Sequence, residues 1–301
     1  MGIIRNRKIF FTLSAILVIG SLVAPFFFGF HLGTDFTGGS ILEVRYLSER
    51  PQLEATQALL SPLGLGNFSL RPSGESNFVL RAREISPEEK SAILSVLSSG
   101  GQTQISEERF NSIGPVVGES LKRKSYIAIA VVIFCIVLFI TFAFRKVSKP
   151  VSSWKYGLAT IVALFHDVIV PTGIYIVAGK FFGWEIDLLF VTALLAILGY
   201  SVHDTIVVFD RVREHLRRNQ EEGRVEEFEK TVGESLIQTM SRSINTSLTL
   251  VIVLVALYIL GVGATQSFAF VLLVGVIAGT YSSIFLASPL LVTLEKLQKK
   301  E

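Results

Sequence analysis

The chain has 301 residues, of which 50% are hydrophobic and 18% charged, and its net charge is +3. Soluble domains carry charge on about a quarter of their residues. This composition, with a mean hydropathy of +0.56, therefore excludes an ordinary soluble domain and indicates a membrane protein. The small net charge gives no indication of a nucleic-acid partner. A single cysteine, Cys135, excludes a disulfide framework, and we expect it to be a small core residue.

Six apolar runs predict six transmembrane helices, because a hydrocarbon core of about 30 Å needs about 20 apolar residues. The first run follows a basic segment, as in a signal peptide. It is longer than the apolar part of a signal peptide and no A-x-A site follows, so we expect an uncleaved anchor. The predicted helices cover 9–30, 125–144, 156–178, 186–209, 244–260 and 268–292.

Basic residues predict the orientation of these helices. The positive-inside rule places both termini and the loops 145–155 and 210–242 in the cytoplasm, and the segment 31–124 in the periplasm. The chain is then a multi-pass protein of the inner, cytoplasmic membrane. The basic residues are Arg5, Arg7, Lys8, Arg145, Lys146, Lys149, Lys155, Arg211, Arg213, Arg217, Arg218, Lys296, Lys299 and Lys300. The predicted domains are 1–30 (N-terminus and first helix), 31–124 (periplasmic α+β domain), 125–292 (five-helix bundle with cytoplasmic loop 210–242) and 293–301 (cytoplasmic tail).

The segment 31–124 is typical of a small α+β domain. Ser86, Pro87 and Glu89 predict a capped helix start, and Pro72-Ser73-Gly74 predicts a turn between two strands. The order β-α-β-β-α-β is the ferredoxin-like arrangement. Because we find no cluster of catalytic residue types here, we interpret the domain as a binding or lever module. The predicted strands are 41–47, 67–71, 77–82 and 102–110, and the helices are 52–60 and 86–100.

Few ionisable residues lie inside the apolar runs. They are His166, Asp167, Asp187, His203 and Asp204. A charge at mid-bilayer costs about 2.5–3.5 kcal/mol, so such residues commonly mark a proton or ion path, although buried polar contacts between helices are the alternative. With about 1.5 Å of rise per residue, Asp204 lies about 9 Å inside the cytoplasmic end and Asp167 about 18 Å inside. We expect a solvated or capping role for Asp187.

Three neighbouring features bear on these acids. Arg242 and Thr246 share one face of the fifth helix, where Arg242 could pair with Asp204 or serve only as a topology signal. Pro171 cannot donate to the carbonyl of Asp167, which leaves an acceptor beside that acid. Adjacent residues diverge by about 100° on a helix, so we expect each His to point away from the Asp that follows it. Asp210 and Arg211 follow the C-terminal end of the predicted fourth helix. We interpret them as the point where the chain leaves the membrane.

The sixth run contains "GVIAG" (275–279), a G-x-x-x-G pattern that permits close helix packing. Together with the buried acids, this small-residue face leads us to expect contact with a partner subunit rather than with lipid. The chain alone would then not be a complete functional unit.

Five segments together resemble one family. They are "GTDFTGGS", "ALFHDVIVPTG", "EIDLLFVTALLAILGYSVHDTIVVFDRVRE", "ESLIQTMSRSINTSLT" and "GTYSSIFLASPLL". In this order they are similar to the SecF family, subunits of the SecD–SecF accessory complex of the Sec translocon. The resemblance implies a fold that is half of a resistance-nodulation-division transporter, with SecD as the other half. It also implies use of the proton-motive force to help export unfolded preproteins.

The resemblance also implies a proton path. Its acid is Asp204, its arginine is Arg242 with Thr246 one turn further on, and the acid of the third helix is Asp167. Many family members have Asn where this chain has His203, so we expect His203 to tune Asp204 and the pH range of activity. The implied partners are SecD, the translocon channel with its accessory subunits, the preprotein in transit and the lipid bilayer.

Two other functions were weighed. An intramembrane hydrolase is disfavoured because the sequence lacks H-E-x-x-H, G-x-G-D and G-x-S-x-G motifs, so we expect neither an enzyme nor a cofactor. A proton-coupled small-molecule exporter of the same superfamily is the nearer alternative. Against it, a single six-helix half with one outer domain of about 90 residues leaves no large substrate vestibule.

Overall fold

The computed structural model describes residues 2–143 and 152–298. Within these ranges the protein consists of a helical bundle and one small α+β domain, which is inserted between the first two long helices. The end of the second predicted span, Phe144, lies outside the described residues. So do the predicted topology signals Arg145, Lys146, Lys149, Lys299 and Lys300.

Six helical spans in the described part of the chain are long and apolar enough to cross a membrane, as predicted. A short helix α1 (Gly2–Arg5) precedes the first of them. The spans are α2 (Arg7–Phe28), α6 (Pro115–Ala143), α7 (Ser153–Phe182), α8 (Leu188–Glu221), α9 (Phe228–Leu260), and α10 (Ala264–Ser282) continued by α11 (Ser288–Gln298).

The predicted cytoplasmic loop 210–242 is mostly helical, which corrects the expectation of a long loop. Helix α8 continues to Glu221 and α9 begins at Phe228, so only six residues connect them. Arg, Lys and Glu are good helix formers, and oppositely charged pairs four residues apart stabilise the extension. Arg217 lies 2.8 Å from Glu221 in one such pair. The length of the apolar run therefore underestimates the length of these helices.

The helices divide into an inner and an outer set. In α7, α8 and the last span, 56% of the most apolar window is buried inside the protein, against 11% in α2 and α6 and 17% in α9. The inner helices meet around residues such as Tyr156, whose ring contacts that of Phe209 edge-on at 5.3 Å. Cys135 is exposed on α6 rather than buried, because α6 packs on the bundle along one side only.

The inserted domain confirms the predicted order of elements. Its strands form one antiparallel sheet in the order β2-β3-β1-β4, as in ferredoxin-like folds. Strand β2 is at the sheet edge, where Pro72 is tolerated because no outer ladder bond is needed. The turn therefore falls after Ser73, later than predicted. The elements are α3 (Thr34–Thr37), β1 (Gly39–Tyr46), α4 (Leu53–Leu60), β2 (Ser69–Ser73), β3 (Asn77–Ala82), α5 (Pro87–Leu97) and β4 (Ile105–Ile113).

Local signals in this domain have the predicted geometry. Ser86 accepts a hydrogen bond from the Glu89 backbone, and the Glu89 side chain accepts one from the Ser86 N–H, which completes the capping box. Leu42, Phe78 and Ile93 lie in the core between the sheet and its two helices. The opposite face of the sheet is turned towards the bundle, near the connection between α7 and α8. There Arg81 forms an ion pair of 2.5 Å with Glu185.

The segment "GTDFTGG" connects the domain to the bundle. Gly38 and Gly39 have φ of +77° and +123°, and a Cβ at Gly38 would lie 2.8 Å from Cα of Pro115 at the start of α6. One carboxylate oxygen of Asp35 accepts the N–H of Leu188, the first residue of α8, at 3.0 Å. The Gly33 N–H also donates to the Ile186 carbonyl at 2.8 Å. The segment therefore contacts the sheet, α6 and the N-terminal end of α8.

The last span changes its helical winding midway. A π-helical segment (Ser283–Ala287) separates α10 from α11, and the Ser288 hydroxyl donates to the Ser283 carbonyl at 2.9 Å. Pro289 follows and has no N–H to donate. Single π turns inside helices occur frequently at functional sites.

The G-x-x-x-G face of α10 packs inside this chain. A Cβ on Gly275 would collide with the side chain of Ile197, and one on Gly279 would lie 3.1 Å from Cβ of Ser201. Both contacts are with α8. Close packing is confirmed, but the expectation that this face meets a partner subunit is wrong, because α8 already occupies it.

Candidate functional site

Asp167 lies in the middle of α7 and is fully buried. Its Oδ2 atom accepts hydrogen bonds from the hydroxyls of Ser282, at 2.7 Å, and of Ser201. Its Oδ1 atom lies 2.8 Å from Nδ1 of His166. Helices α7, α8 and α10 therefore meet on one carboxylate, and the close approach at Gly279 brings the two serines within reach of it.

His166 does not point away from Asp167, which corrects the expectation from helix geometry. The two Cβ atoms diverge, but the side chains bend towards each other and meet at 2.8 Å. The imidazole is 2% exposed and stacks on the ring of Tyr281 at a centroid distance of 5.7 Å. Its Nε2 atom is buried and has no hydrogen-bond partner among residues 2–143 and 152–298.

Asp204 lies on α8 and is 6% exposed. Its Oδ1 atom accepts a hydrogen bond of 2.5 Å from the Ser243 hydroxyl of α9. Its Oδ2 atom is buried and has no hydrogen-bond partner in the described part of the chain. The acid is thus placed inside the bundle, as its sequence position predicted, and one of its two oxygens has no partner among the described residues.

Arg242, Thr246 and His203 are exposed in the structure. In this part of α9 the buried positions are Ser243 and Ser247, each of which follows a residue of the predicted pair, Arg242 and Thr246. Asp204 therefore contacts Ser243, and the structure does not bring Arg242 next to it. The pairing of Arg242 with Asp204 stays a prediction that requires a different arrangement of the helices. His203 points away from Asp204, as predicted.

Two further acids, Asp187 at the start of α8 and Asp210 within it, have ordinary structural contacts. Asp187 caps the helix by accepting the Phe190 N–H at 2.8 Å, which confirms the predicted capping role. Asp210 is exposed and lies 3.4 Å from Arg213. Neither contributes to the buried site.

Sequence reasoning missed the hydroxyl groups that line the site. Thr205 lies 2.8 Å from Ser283, and Ser247 lies 2.6 Å from Thr280 and 2.7 Å from Tyr200. A signal was present, because hydroxyl residues in an apolar helix at a spacing of three or four share a face. Ser201 precedes Asp204 by three residues, and Ser243 and Ser247 are four apart.

The arrangement suits proton chemistry better than metal chemistry. Two carboxylates and one imidazole lie within a hydroxyl-lined interior, and each can hold a proton. The described residues contain no group of three or more His, Cys, Asp or Glu side chains that could hold a metal ion.

Outside the membrane, the short connection between α8 and α9 is organised around Glu226. Its carboxylate accepts hydrogen bonds from Thr231 at 2.7 Å and Asn219 at 3.0 Å, and it pairs with Lys230 at 2.9 Å. The Lys230 and Thr231 contacts lower the pKa of Glu226 to about 2. The six-residue turn is therefore held by an ionised carboxylate.

Comparison with known proteins assigns the chain to a family. Residues 93–297 match the model of the protein export membrane protein SecD/SecF C-terminal region, and residues 23–46 match the SecD/SecF GG motif. The chain belongs to the SecD/SecF family. The GG motif contains the Gly38–Gly39 pair, and the C-terminal region contains both buried acids. The family resemblance predicted from the sequence is thus confirmed.

Curated relatives match nearly the full length of the chain. The protein translocase subunit SecF of Thermobaculum terrenum is 40% identical over 309 residues, covering 98% of this chain and 94% of the relative. That of Anaerolinea thermophila is 36% identical over 297 residues, with the same coverage. The relatives and the six apolar helices identify a multi-pass membrane protein of the protein-transport class.

Two solved structures share the fold. The crystal structure of SecDF from Thermus thermophilus superposes with a TM-score of 0.82 at 29% identity, covering 98% of this chain and 39% of that chain. A SecDF structure in the Super-membrane-facing form gives a TM-score of 0.65, also at 29% identity, over 100% of this chain and 39% of that one. The conformation described here is closer to the first.

Proposed function

We propose that this chain is the SecF-type half of a SecD–SecF complex, and that the complex uses the proton-motive force to promote export of unfolded preproteins through the Sec translocon. Asp204 carries the proton in this proposal, and Asp167 lies on the same path. The SecF relatives favour a polypeptide over a small molecule as the cargo. No catalysed reaction and no cofactor are assigned to the chain.

The buried carboxylate of Asp204 carries the proposal. It is 6% exposed on a helix that is long and apolar enough to span the membrane, and one of its oxygens has no partner among the described residues. Keeping an acid there costs about 2.5–3.5 kcal/mol on insertion scales, and such residues usually serve ion or proton movement. A purely structural acid would have both oxygens satisfied.

The exposed face of α9 supports a contact with SecD. Arg242, Asn245, Thr246 and Thr249 are polar and exposed on a helix that is otherwise apolar enough to cross a membrane. Lipid does not satisfy such groups, whereas a second helical subunit can. In the proposal Arg242 and Thr246 reach the proton path from this interface when the two halves move relative to one another.

The proposed orientation places both termini and the α8–α9 connection in the cytoplasm, the inserted domain in the periplasm, and the bundle in the inner membrane. Basic residues support this arrangement, because they lie near the helix ends that the proposal places in the cytoplasm. Arg5, Arg7 and Lys8 lie at the start of α2, and Arg211, Arg213, Arg217 and Arg218 at the end of α8.

The decisive experiment measures preprotein export into inverted membrane vesicles that contain the complex, with the proton gradient intact and with it collapsed by an ionophore. Asp204→Asn keeps the shape of the side chain but cannot titrate. We expect the gradient-dependent part of export to be lost and the ATP-driven part to remain. Asp210→Asn is the matched control, because Asp210 is an exposed acid on the same helix. A normal gradient-dependent rate in Asp204→Asn would refute the proposal.

A further inference from the structure

His166 is a buried titratable group to which the proposed function gives no role. The side chain is 2% exposed, and its Nδ1 atom lies within hydrogen-bond distance of Asp167. The Nε2 atom is buried without a partner in the described ranges. Buried polar atoms of a structural histidine are normally both satisfied, so an unsatisfied ring nitrogen needs an explanation.

The surroundings of His166 allow it to gain and lose a proton. Asp167 provides a carboxylate at 2.8 Å that can accept the Nδ1 proton. Tyr281 of α10 stacks on the ring and directs its hydroxyl to the Phe10 carbonyl of α2, at 3.0 Å, rather than to the imidazole. In the part of the chain that the structure describes, neither His166 nor Asp167 forms an ion pair with a Lys or Arg side chain.

The pair is also linked to Asp204 by short steps along α8. Ser201 donates to Asp167 and lies three residues before Asp204, on the same face of that helix. Ser283 lies next to Ser282 in the chain and contacts Thr205, the neighbour of Asp204, at 2.8 Å. Hydroxyl groups both donate and accept, so they can pass protons between the two acids.

We propose that His166 and Asp167 form a second proton-carrying site, which receives its proton at Nε2 of His166. This inference rests on the proposed function. The arriving proton binds the Nε2 lone pair of the Nδ1–H tautomer and forms an imidazolium ion. The Nδ1 proton then passes to Oδ1 of Asp167, which leaves a neutral imidazole protonated at Nε2 and a neutral carboxylic acid. The pair gains one proton in all, and the reverse steps release it.

The first test is gradient-dependent export by the complex with His166→Asn. The Asn amide can still donate to Asp167 from a position close to that of Nδ1, but it does not titrate. We expect gradient-dependent export to fall by the order of 100-fold that loss of a proton-transferring side chain usually costs. Assembly and thermal stability should remain normal. His31→Asn is the matched control, since its side chain is exposed outside the membrane spans.

The second test reads protonation directly, by ¹⁵N NMR of histidine-labelled full-length chain in its complex in liposomes. The chain has 4 histidines, and the signal missing from His166→Asn assigns this one. We expect its Nε2 resonance to change between the unprotonated and protonated positions as the pH of the sample is varied from about 5 to about 8. A resonance that stays constant over this range, or normal gradient-dependent export in His166→Asn, would overturn the second site.

The outcomes separate the two proposals. If Asp204→Asn abolishes gradient-dependent export and His166→Asn does not, the proposed function stands and the second proton site falls. If Asp204→Asn also exports normally, the proposed function itself falls. A His166→Asn protein that melts early is replaced in the assay by His166→Gln, and normal export by a stable His166→Gln variant would equally overturn the second site.

Discussion

Two His-Asp dipeptides lie on adjacent helices of the bundle, and they are built differently. In the pair on α7 both side chains are buried, and Asp167 receives contacts from His166, Ser201 and Ser282. In the pair on α8 only the acid is buried, and among the described residues it accepts one hydrogen bond, from Ser243. The same dipeptide therefore has two environments, because each helix presents a different face to the core.

The difference lies in which atom is left without a partner. Within residues 2–143 and 152–298, the atom without a partner is Nε2 of His166 on α7 and Oδ2 of Asp204 on α8. A carboxylate that accepts several hydrogen bonds holds its helices together, whereas an unsatisfied buried atom is free to exchange a proton. Asp167 should therefore matter more for stability, and Asp204 more for movement of protons.

Replacing each acid by alanine should give the largest difference in stability between the two His-Asp pairs. Asp167→Ala removes the acceptor for two buried hydroxyls and one imidazole, so we expect a loss of about 3–5 kcal/mol in the free energy of unfolding. Asp204→Ala removes one hydrogen bond and should cost about 1 kcal/mol. Chemical denaturation of the two purified variants in detergent measures both. Equal losses would contradict the prediction that Asp167 contributes more to stability than Asp204 does.

A smaller effect is expected from the helix contact beside Asp167. In Gly279→Ala the new Cβ would lie 3.1 Å from Cβ of Ser201 and 3.7 Å from Oδ2 of Asp167. We expect a loss of about 1–3 kcal/mol from overpacking, with little change at Asp204. Gly199→Ala is the control on the same helix pair, since apart from its chain neighbours and the nearby backbone of α8 no described atom lies within 4 Å of its added Cβ. The prediction fails if both variants unfold at the same denaturant concentration.

The smallest effect concerns an acid outside the bundle, which serves as a reference for the buried pair. The pKa of Glu226 is lowered to about 2, so its contribution to stability is present above its ordinary pKa of 4.5 and is lost as the pH falls towards about 2. Because its contacts are partly exposed, Glu226→Gln should cost about 1 kcal/mol or less near neutral pH. The difference from the unsubstituted protein should shrink near about pH 3. An unchanged difference there would show that the contacts do not depend on charge.

Much of the fold followed from sequence patterns that act over short distances. Apolar runs located all six spans, and alternation with capping residues located the strands and helices of the inserted domain. The ends of α8 and α9 were missed because they are stabilised by pairs of charged residues such as Arg217 with Glu221, which apolar length does not measure. The length of a helix within lipid follows from its apolar run, whereas its extension into water follows from its charged pairs.

The site was predicted less completely, because it depends on how each helix is rotated about its own axis. The sequence indicated that Asp167 and Asp204 lie inside the bundle, but the rotation of α9 about its axis depends on packing with its neighbours. One residue of rotation, about 100°, exchanges Arg242 for Ser243 as the neighbour of Asp204. The role of Ser282 on α10 could not be predicted for the same reason, since its contact with Asp167 depends on the close approach of α10 and α8 that Gly279 permits.

The hydrogen bond from Leu188 to Asp35 gives α8 the geometry of a lever arm. The helix has 34 residues without interruption, which makes it about 51 Å long, and Asp204 lies about 24 Å from its outer end. A tilt of about 5° around that end would move Asp204 by about 2 Å and the far tip by about 4 Å. A displacement large enough to separate Asp204 from Ser243 would thus be roughly doubled at the turn between α8 and α9. The inserted domain and the turn between α8 and α9 are thus connected by one rigid rod, with Asp204 near its midpoint.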